Sequence, residues 1–506
     1  MRVYVPNDTG ARSLGADAVA DTLAGELERL NVDAEIRRNG TRGLYWLEPL
    51  VEIETASGRH AFGPVTPEDA AGLIDTDGSA NEDHPRYLGD VDDLEALRLQ
   101  NRLTFERLGI TRPGSLSDYR KHGGYAGLQN ALALSAGDIV EVVTQSGLRG
   151  RGGAAFPTGI KWRTVLEADG GQKYIVCNAD EGDSGTFADR LVMECDPFAL
   201  LEGMTIAGIA TGATKGFIYI RAEYPQSIAT MAEAIDTAAD AGLLGNGILG
   251  SAHSFHVEVR EGAGAYICGE ETSLLESLEG KRGTVRFRPP LPAVKGLFGL
   301  PTVVNNVISL ATVPIVMREG ADHYRDFGVG RSRGTLTIQL AGNVARGGLY
   351  EVDFGISLRE VLYDLGGGTA SGRPIRAVQA GGPLGALIPP KHFDTPLDYE
   401  AVQAIGGMIG HGGLVVFDDT IDLGALARFS LEFCAIESCG KCTPCRIGAV
   451  RGTEVIDRIR AGVDPDANRA LLDELCDTMI EGSLCGLGGM APLPVKSVLT
   501  HFPEEL

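Results

Sequence analysis

Cationic side chains are in short supply. Against 68 Asp and Glu there are 45 Lys and Arg, a net charge of −23. That balance repels phosphodiester backbones and anionic lipid surfaces, so nucleic acid and charged membranes are excluded as general partners. An anionic small molecule must then be met by local cations. No apolar run approaches the roughly 20 residues that cross a bilayer, so membrane insertion is not expected. The start MRVYVPNDTG has no signal-peptide pattern, and the expected location is cytoplasmic. No cysteine occurs before Cys177, so the first part of the chain carries neither a redox dithiol nor a thiolate-bound cluster. There is no short-period repeat and no low-complexity tract.

What is present is a globular chain of 506 residues, 43% hydrophobic, long enough for several domains. Residues 1–75 alternate strand signals (Arg2–Pro6, Asp33–Arg37, Leu50–Glu54) with helices at Ala16–Leu30 and Thr66–Leu73. This order predicts a small thioredoxin-like docking domain. Residues 76–125 read as a helical connector, with a helix over Asp92–Leu108. Residues 126–330 alternate apolar runs (Tyr174–Cys177, Gly216–Ile220, Ser254–Arg260) with Ala-rich helices, the signature of a parallel α/β sheet. Residues 331–415 read β-β-α-β, as in a β-grasp (ubiquitin-like) unit. Residues 416–506 are helical. The fold class is therefore α/β multidomain.

Gly147–Trp162, GLRGRGGAAFPTGIKW, opens the α/β region. Seven of its sixteen residues are Gly or Ala, with Arg149, Arg151 and Lys161 as cations. Glycines bring backbone N–H groups close to a bound anion. Arg and Lys beside them suit phosphate, and Phe156 is available for stacking. Gly150, Gly152 and Ala155 fit G-x-G-x-x-G/A, but Ser135-Ala-Gly-Asp138 reads as a capping box that starts a helix before the loop. The strand–loop–helix setting of a dinucleotide fingerprint is thus missing.

The strongest motif is ESCGKCTPCR, with Cys439, Cys442 and Cys445 spaced C-x2-C-x2-C. Three thiolates in one short arc suit three corners of a [4Fe–4S] cube, with Cys485 as candidate fourth ligand and Cys476 as the alternative. A four-cysteine zinc site is the competing reading. Nine cysteines, an odd number gathered late in the chain, do not look like a disulfide framework. Asn178, Asp180 and Glu181 follow a strand end, where they can bind ribityl hydroxyls or ring edges, or form a solvated turn. In GAGAYICGEET, Tyr266, Gly269, Glu270 and Glu271 suit ribose or amide binding better than acid–base catalysis, because adjacent carboxylates seldom converge on one bond. Lys281, Arg282, Arg286 and Arg288 form a basic tail that is either solvated or meets phosphate. Asn305 and Asn306 read as a helix start that suits phosphate. A nicotinamide moves two electrons and a cluster moves one; a flavin joins them. Together these motifs suggest NAD(H), FMN and a [4Fe–4S] cluster.

GLRGRGG, NADEG, GAGAYICGEETSLLESLEGKRG, PTVVNN and ESCGKCTPCR, in that order over residues 140–490, resemble the family of flavoprotein subunits of NADH:quinone oxidoreductase (complex I) and its soluble relatives. The resemblance implies a Rossmann-like FMN/NADH domain. FMN would lie over Gly150–Lys161, Asn178–Glu181, Gly269–Glu271 and Asn305–Asn306, with NADH stacked on the flavin. Three departures stand out: Ala155 for Gly, Asp183 within DEGDSGTFADR where respiratory members carry Glu, and Thr164 for an aromatic. The Cys-free N-terminal part, GDSGTFADR and Gly330–Thr335 resemble the beta subunit of cytoplasmic NAD-dependent, molybdenum-containing formate dehydrogenase. That implies a diaphorase with two partners, a formate-oxidising molybdenum/Fe–S subunit and a small [2Fe–2S] thioredoxin-like subunit. No side chain is needed as a general acid. The alternatives are the NADH-oxidising subunit of complex I or of an NAD-reducing hydrogenase, and a non-catalytic scaffold with structural zinc.

Overall fold

A computed structural model describes residues 1–169 and 171–506. Five short strands come first: β1 (Arg2–Tyr4), β2 (Glu35–Arg37), β3 (Val51–Glu54), β4 (Arg59–Phe62) and β5 (Tyr87–Asp90). They form one mixed sheet in the order β2-β1-β3-β4-β5. β1 and β2 are parallel, and β3 returns antiparallel to β1. The helix Ala16–Leu30 buries Val19, Leu23 and Leu27 against this sheet, as their helical spacing requires. Thr66 closes a capping box on the short helix Pro67–Ala70.

Two expectations fail here. The sheet does not end near residue 75, because β5 pairs with β4. The expected helix Asp92–Leu108 shrinks to a turn at Val91–Asp93 and a helix at Glu95–Arg98. The reason lies on a distant strand. Thr104 and Phe105 donate their backbone N–H groups to the Glu351 carboxylate, both at 2.9 Å, and Asn101 N–H donates to the Glu351 carbonyl at 2.9 Å. Those donors are then lost to an i→i−4 ladder.

The central sheet is wholly parallel. Its strands are β6 (Tyr174–Ala179), β7 (Lys215–Ile220), β8 (His256–Glu261) and β9 (Thr302–Asn306), in the order β8-β7-β6-β9. The helix Pro197–Thr211 is buried all round, and Val307–Glu319 is buried along nearly its whole length. Glu202 of the first accepts hydrogen bonds from Tyr119 Oη (2.6 Å) and from the N–H groups of Tyr125 (2.7 Å) and Leu128 (2.8 Å). One buried carboxylate thus clips the connector to the central core.

After a two-residue ribbon, β10 (Gly328–Val329) with β11 (Ser332–Arg333), comes a second mixed sheet. It holds β12 (Thr335–Gly342), β13 (Gly348–Asp353), β14 (Ile375–Ala380), β15 (Ala386–Ile388) and β16 (Gly413–Asp418), in the order β13-β12-β16-β14-β15. The expected hairpin is β12 with β13, and β16 runs parallel to β12. The last part is helical: Leu423–Glu437, Thr443–Arg460, Pro465–Gly482, Gly486–Met490 and Leu493–His501. They pack around Leu431, Ala449, Ile456, Leu472, Met479 and Val498. The molecule is thus mixed α/β with a helical C-terminal part. No helix among the described residues is long and apolar enough to cross a membrane.

Candidate functional site

Parallel sheets leave a crevice beyond the carboxyl ends of their strands. Here a cavity of about 320 Å³ opens where β6 ends in Asn178-Ala179 and β9 ends in Asn306. Nine of the expected site residues line it: Gly152, Asn178, Asp180, Glu181, Asp183, Tyr266, Gly269, Glu270 and Asn306. The Gly-rich segment reaches it as a tight hairpin. Gly150 N–H donates to the Phe156 carbonyl at 2.8 Å and Thr158 N–H to that of Leu148 at 2.9 Å, so the tip Gly152–Ala154 meets the cavity. Ala155 takes φ +51°, the left-handed region where a Cβ is strained.

The other expected residues do not line the cavity. Arg151 is buried, and its guanidinium donates to the carbonyls of Arg149 (2.7 Å) and Arg333 (2.9 Å) and to Tyr324 Oη (2.8 Å). It also lies over the Phe354 ring. Its donors are committed to the loop and its neighbours rather than to the cavity. Gly150 offers its carbonyl to Tyr399 Oη at 3.4 Å. Phe156 lies at the surface, half exposed. Lys161 Nζ donates to the Val304 carbonyl at 2.8 Å and stands 3.5 Å from Glu271. Glu271 in turn pairs with Arg288 at 3.2 Å. Asn305 accepts from Trp162 Nε1 at 2.9 Å. Of the pair expected to open a helix, only Asn306 does so, capping Val307–Glu319 through Ile308 N–H at 2.9 Å.

Several lining side chains are also committed to local structure. Asn178 donates to the Gly269 carbonyl at 2.8 Å, which fixes two walls together. Glu270 caps the helix Glu271–Leu278 through Thr272 and Ser273 N–H, both at 2.9 Å. Glu181 accepts Asp189 N–H (2.8 Å) and Arg190 N–H (3.0 Å) at the start of the helix Ala188–Cys195. Asn306 Nδ2 donates to both oxygens of Asp189, at 2.9 and 2.7 Å. Tyr266 Oη donates to Asp183 at 2.7 Å.

Carboxyl groups crowd the cavity, and three of them titrate high. Burial, against the pull of Arg221, pushes Asp180 up to about 7. Burial raises Asp183 despite its bond from Tyr266, and burial with the charge of Asp189 raises Glu181. Sequence reasoning missed Asp189, Met408, His411 and Leu487, which also line the cavity. Asp189 could have been suspected from its place eight residues after Glu181, but nothing marked a lone His in GHGG.

The thiols lie next to this cavity. Cys442 is the N-cap of Thr443–Arg460, Cys445 lies in its first turn, and Cys485 is the N-cap of Gly486–Met490. Helix N-termini favour thiolates. A Cβ on Gly488 would fall 2.6 Å from Cys445 Cβ, so the two segments touch. Cys439, Cys442 and Cys485 are partly buried around the same core, whereas Cys434 and Cys476 are fully buried within helices. A hydrogen bond from Cys434, working against burial, lowers Cys445 to about 7. Burial pushes Cys476 up to about 12. Directly after Cys485, Gly486 and Leu487 form part of the cavity wall. Donor set and glycine-lined cleft together fit a cluster beside a planar cofactor.

Comparison with known proteins gives the same two parts. Residues 143–315 match the Nuo51 FMN-binding domain and residues 425–506 the NADH-ubiquinone oxidoreductase-F iron-sulfur binding region. The NADP-reducing hydrogenase subunit HndC of Solidesulfovibrio fructosivorans is 46% identical over 80% of this chain and 83% of its own length. An NADH-quinone oxidoreductase subunit of Rhizobium meliloti (strain 1021) is 46% identical over 77% of this chain and 93% of its own. The crystal structure of an NAD+-reducing [NiFe]-hydrogenase in the H2-reduced state superposes with a TM-score of 0.71 at 29% identity, covering all of this chain and 84% of that one. This chain therefore belongs to the family of NADH-quinone oxidoreductase flavoprotein subunits, NAD-dependent oxidoreductases with FMN and a [4Fe–4S] cluster.

Proposed function

We propose that this chain is the diaphorase subunit of a soluble multi-subunit oxidoreductase, exchanging electrons between NAD(H), FMN and a [4Fe–4S] cluster. The observation that carries the reading is the joint at Cys485-Gly486-Leu487. A thiolate on one side of this joint is one residue away from the wall of the cofactor cleft on the other. Gly152, Asn178, Asp180, Asp183, Tyr266, Gly269 and Glu270 are assigned to hold FMN. Cys439, Cys442, Cys445 and Cys485 are assigned to the cluster. Bound there, flavin supplies the junction between two-electron nicotinamide chemistry and one-electron cluster chemistry. The protein's own work is to orient and shield: Asn178 and Gly269 tie two walls, Asn306 and Glu181 pin two helix starts, and no side chain is asked to move a proton to substrate.

The assembly is of hydrogenase or complex I type. The NAD+-reducing hydrogenase structure supports this by matching the whole chain, including the Cys-free N-terminal sheet. That sheet, ordered β2-β1-β3-β4-β5 with β1 and β2 parallel, is assigned a thioredoxin-like docking role. The unit built on β12–β16 is assigned as β-grasp. A small [2Fe–2S] subunit and a larger Fe–S subunit are the partners proposed, in the cytoplasm. The formate-oxidising reading rests on GDSGTFADR and Gly330–Thr335. The co-purifying subunit decides between them, nickel marking a hydrogenase and molybdenum a formate dehydrogenase.

Flavin, iron and sulfide analysis of the purified chain tests the core proposal. The expected result is one FMN and about four iron and four sulfide per chain, with NADH-dependent reduction of ferricyanide. A folded chain that takes up no flavin refutes it.

A further inference from the structure

Five carboxyl groups line the cleft: Asp180, Glu181, Asp183, Asp189 and Glu270. Among the described lining residues there is one basic side chain, His411; no Lys or Arg reaches the cavity. The sequence marks the opening loop as its source of positive charge, yet the Arg151 guanidinium points away, to Tyr324 and the Arg333 carbonyl. FMN and NAD(H) are both anionic, so this cleft needs a cation from elsewhere.

His411 is built into that place. It sits in the turn just before β16, where Gly410 (φ +61°) presses on Gly381, a Cβ on Gly410 falling 2.5 Å from Gly381 Cα. The Gln339 side chain on β12 donates to the His411 carbonyl at 2.8 Å. The ring is buried, and Nδ1 pairs with the Arg151 carbonyl at 2.7 Å, which fixes Nδ1 as the donor. Nε2 then faces Asp189 at 3.2 Å and Glu181 at 3.4 Å, with Asp183 the third charge around it. These carboxylates are themselves held, Asp189 by Asn306 and Glu181 by Tyr224 Oη (3.1 Å) and two backbone N–H groups.

From this geometry we propose that His411 is the positive counter-charge of the flavin cleft, a positioning residue that raises the flavin's reduction potential and strengthens its binding. The inference rests on FMN occupying this cleft. A protonated ring offsets the carboxylates beside it and so favours the reduced, more electron-rich flavin relative to a neutral side chain at the same place. Burial works against the charge on the ring, but Asp189 and then Glu181 outweigh it and hold the imidazole protonated well above its usual range. The same two contacts that place Nε2 thus favour the cation at neutral pH.

Spectroelectrochemical titration of FMN in the purified chain tests this. In His411→Gln the equilibrium constant for flavin reduction is expected to fall at least about tenfold, about 30 mV for a two-electron couple. FMN affinity is expected to fall with it, at unchanged iron content. His411→Lys, which keeps a positive charge at this place, is expected to hold the potential closer to the wild-type value than His411→Gln does. An unchanged potential in His411→Gln overturns the proposal. A stoichiometric metal lost on His411→Gln, beyond the cluster iron, also overturns it, since Glu181, Asp189 and His411 would then be ligands. If His411→Gln does not fold, His411→Asn takes its place in the same titration, and an unchanged potential there does the same. Wild-type protein without flavin would instead refute the cofactor assignment itself.

Discussion

Ala155 sits at φ +51° inside the hairpin that carries the cleft tip. A left-handed L-residue costs about 1–2 kcal/mol, while glycine's extra freedom in the unfolded chain costs about 0.5–1. Strain relief is the larger effect, so Ala155→Gly is expected to stabilise by about 0.5–1 kcal/mol, read as a higher urea midpoint with flavin content unchanged. Asp8 gives a pH-dependent case. One oxygen caps a helix through Gly10 and Ala11 N–H at 3.0 and 3.3 Å, while the other is buried without a partner. Burial and the charge of Glu194 push its carboxyl from 3.8 up to about 6. The native state therefore holds a proton that the unfolded chain releases, so stability falls as pH rises through this window. The full cost above it is about 3 kcal/mol, at 1.36 kcal/mol per unit. Asp8→Asn keeps the cap and cannot ionise, so it is expected to raise the melting temperature at about pH 8 and leave it nearly unchanged at about pH 4. At this scale the sequence was readable by type but not by direction. Asn178, Asp180 and Tyr266 fell into the cleft as expected. Arg151 did not, because a guanidinium in a Gly-rich loop can serve ligand or loop equally well, and only packing against Tyr324 and Phe354 decides.

Elements with strong local periodicity were legible almost to the residue, among them the helix Ala16–Leu30 and the strand Ile375–Ala380. Elements decided by a remote partner were not. The stretch after Arg98 has helical spacing but surrenders its N–H groups to Glu351, a residue some 250 positions away in sequence. β4 and β5 went unread because neither alternates clearly and each exists through its neighbour. The short helix Gly486–Met490 yields an element-scale prediction. A Cβ on Gly488 would collide with Ser483 Oγ and fall 2.6 Å from Cys445 Cβ. Gly488→Ala is therefore expected to part Cys485 from Cys445 and reduce cluster iron by half or more, while flavin fluorescence titration shows FMN still bound. Full iron content in that variant would mean that the two segments can separate without losing the cluster.

On the scale of the whole molecule, the cleft and the thiol site draw on different parts of the chain. Cleft walls come from the parallel sheet and from the turns Gly381–Leu384 and Met408–His411 of the second mixed sheet, whereas the thiols belong to the C-terminal helices. They meet at few places, chiefly Gly486–Leu487 and the bond from Tyr266 N–H to Glu437 at 3.0 Å. Such a division separates the two kinds of electron traffic. Cys445→Ser removes a thiolate at the start of Thr443–Arg460, and Cys445 is not itself a lining residue of the cleft. Hydride exchange with NADH needs only the cleft, and ferricyanide can take electrons there directly. One-electron delivery to a partner protein needs the cluster. Cys445→Ser is thus expected to lose most of its iron, keep NADH–ferricyanide activity within about twofold, and fail to reduce an Fe–S partner subunit, whereas Cys476→Ser, placed in the helical core, keeps its iron. Loss of both activities in Cys445→Ser would show that the cleft depends on the cluster for its shape, and that the joint at Cys485-Gly486-Leu487 transmits structure as well as electrons.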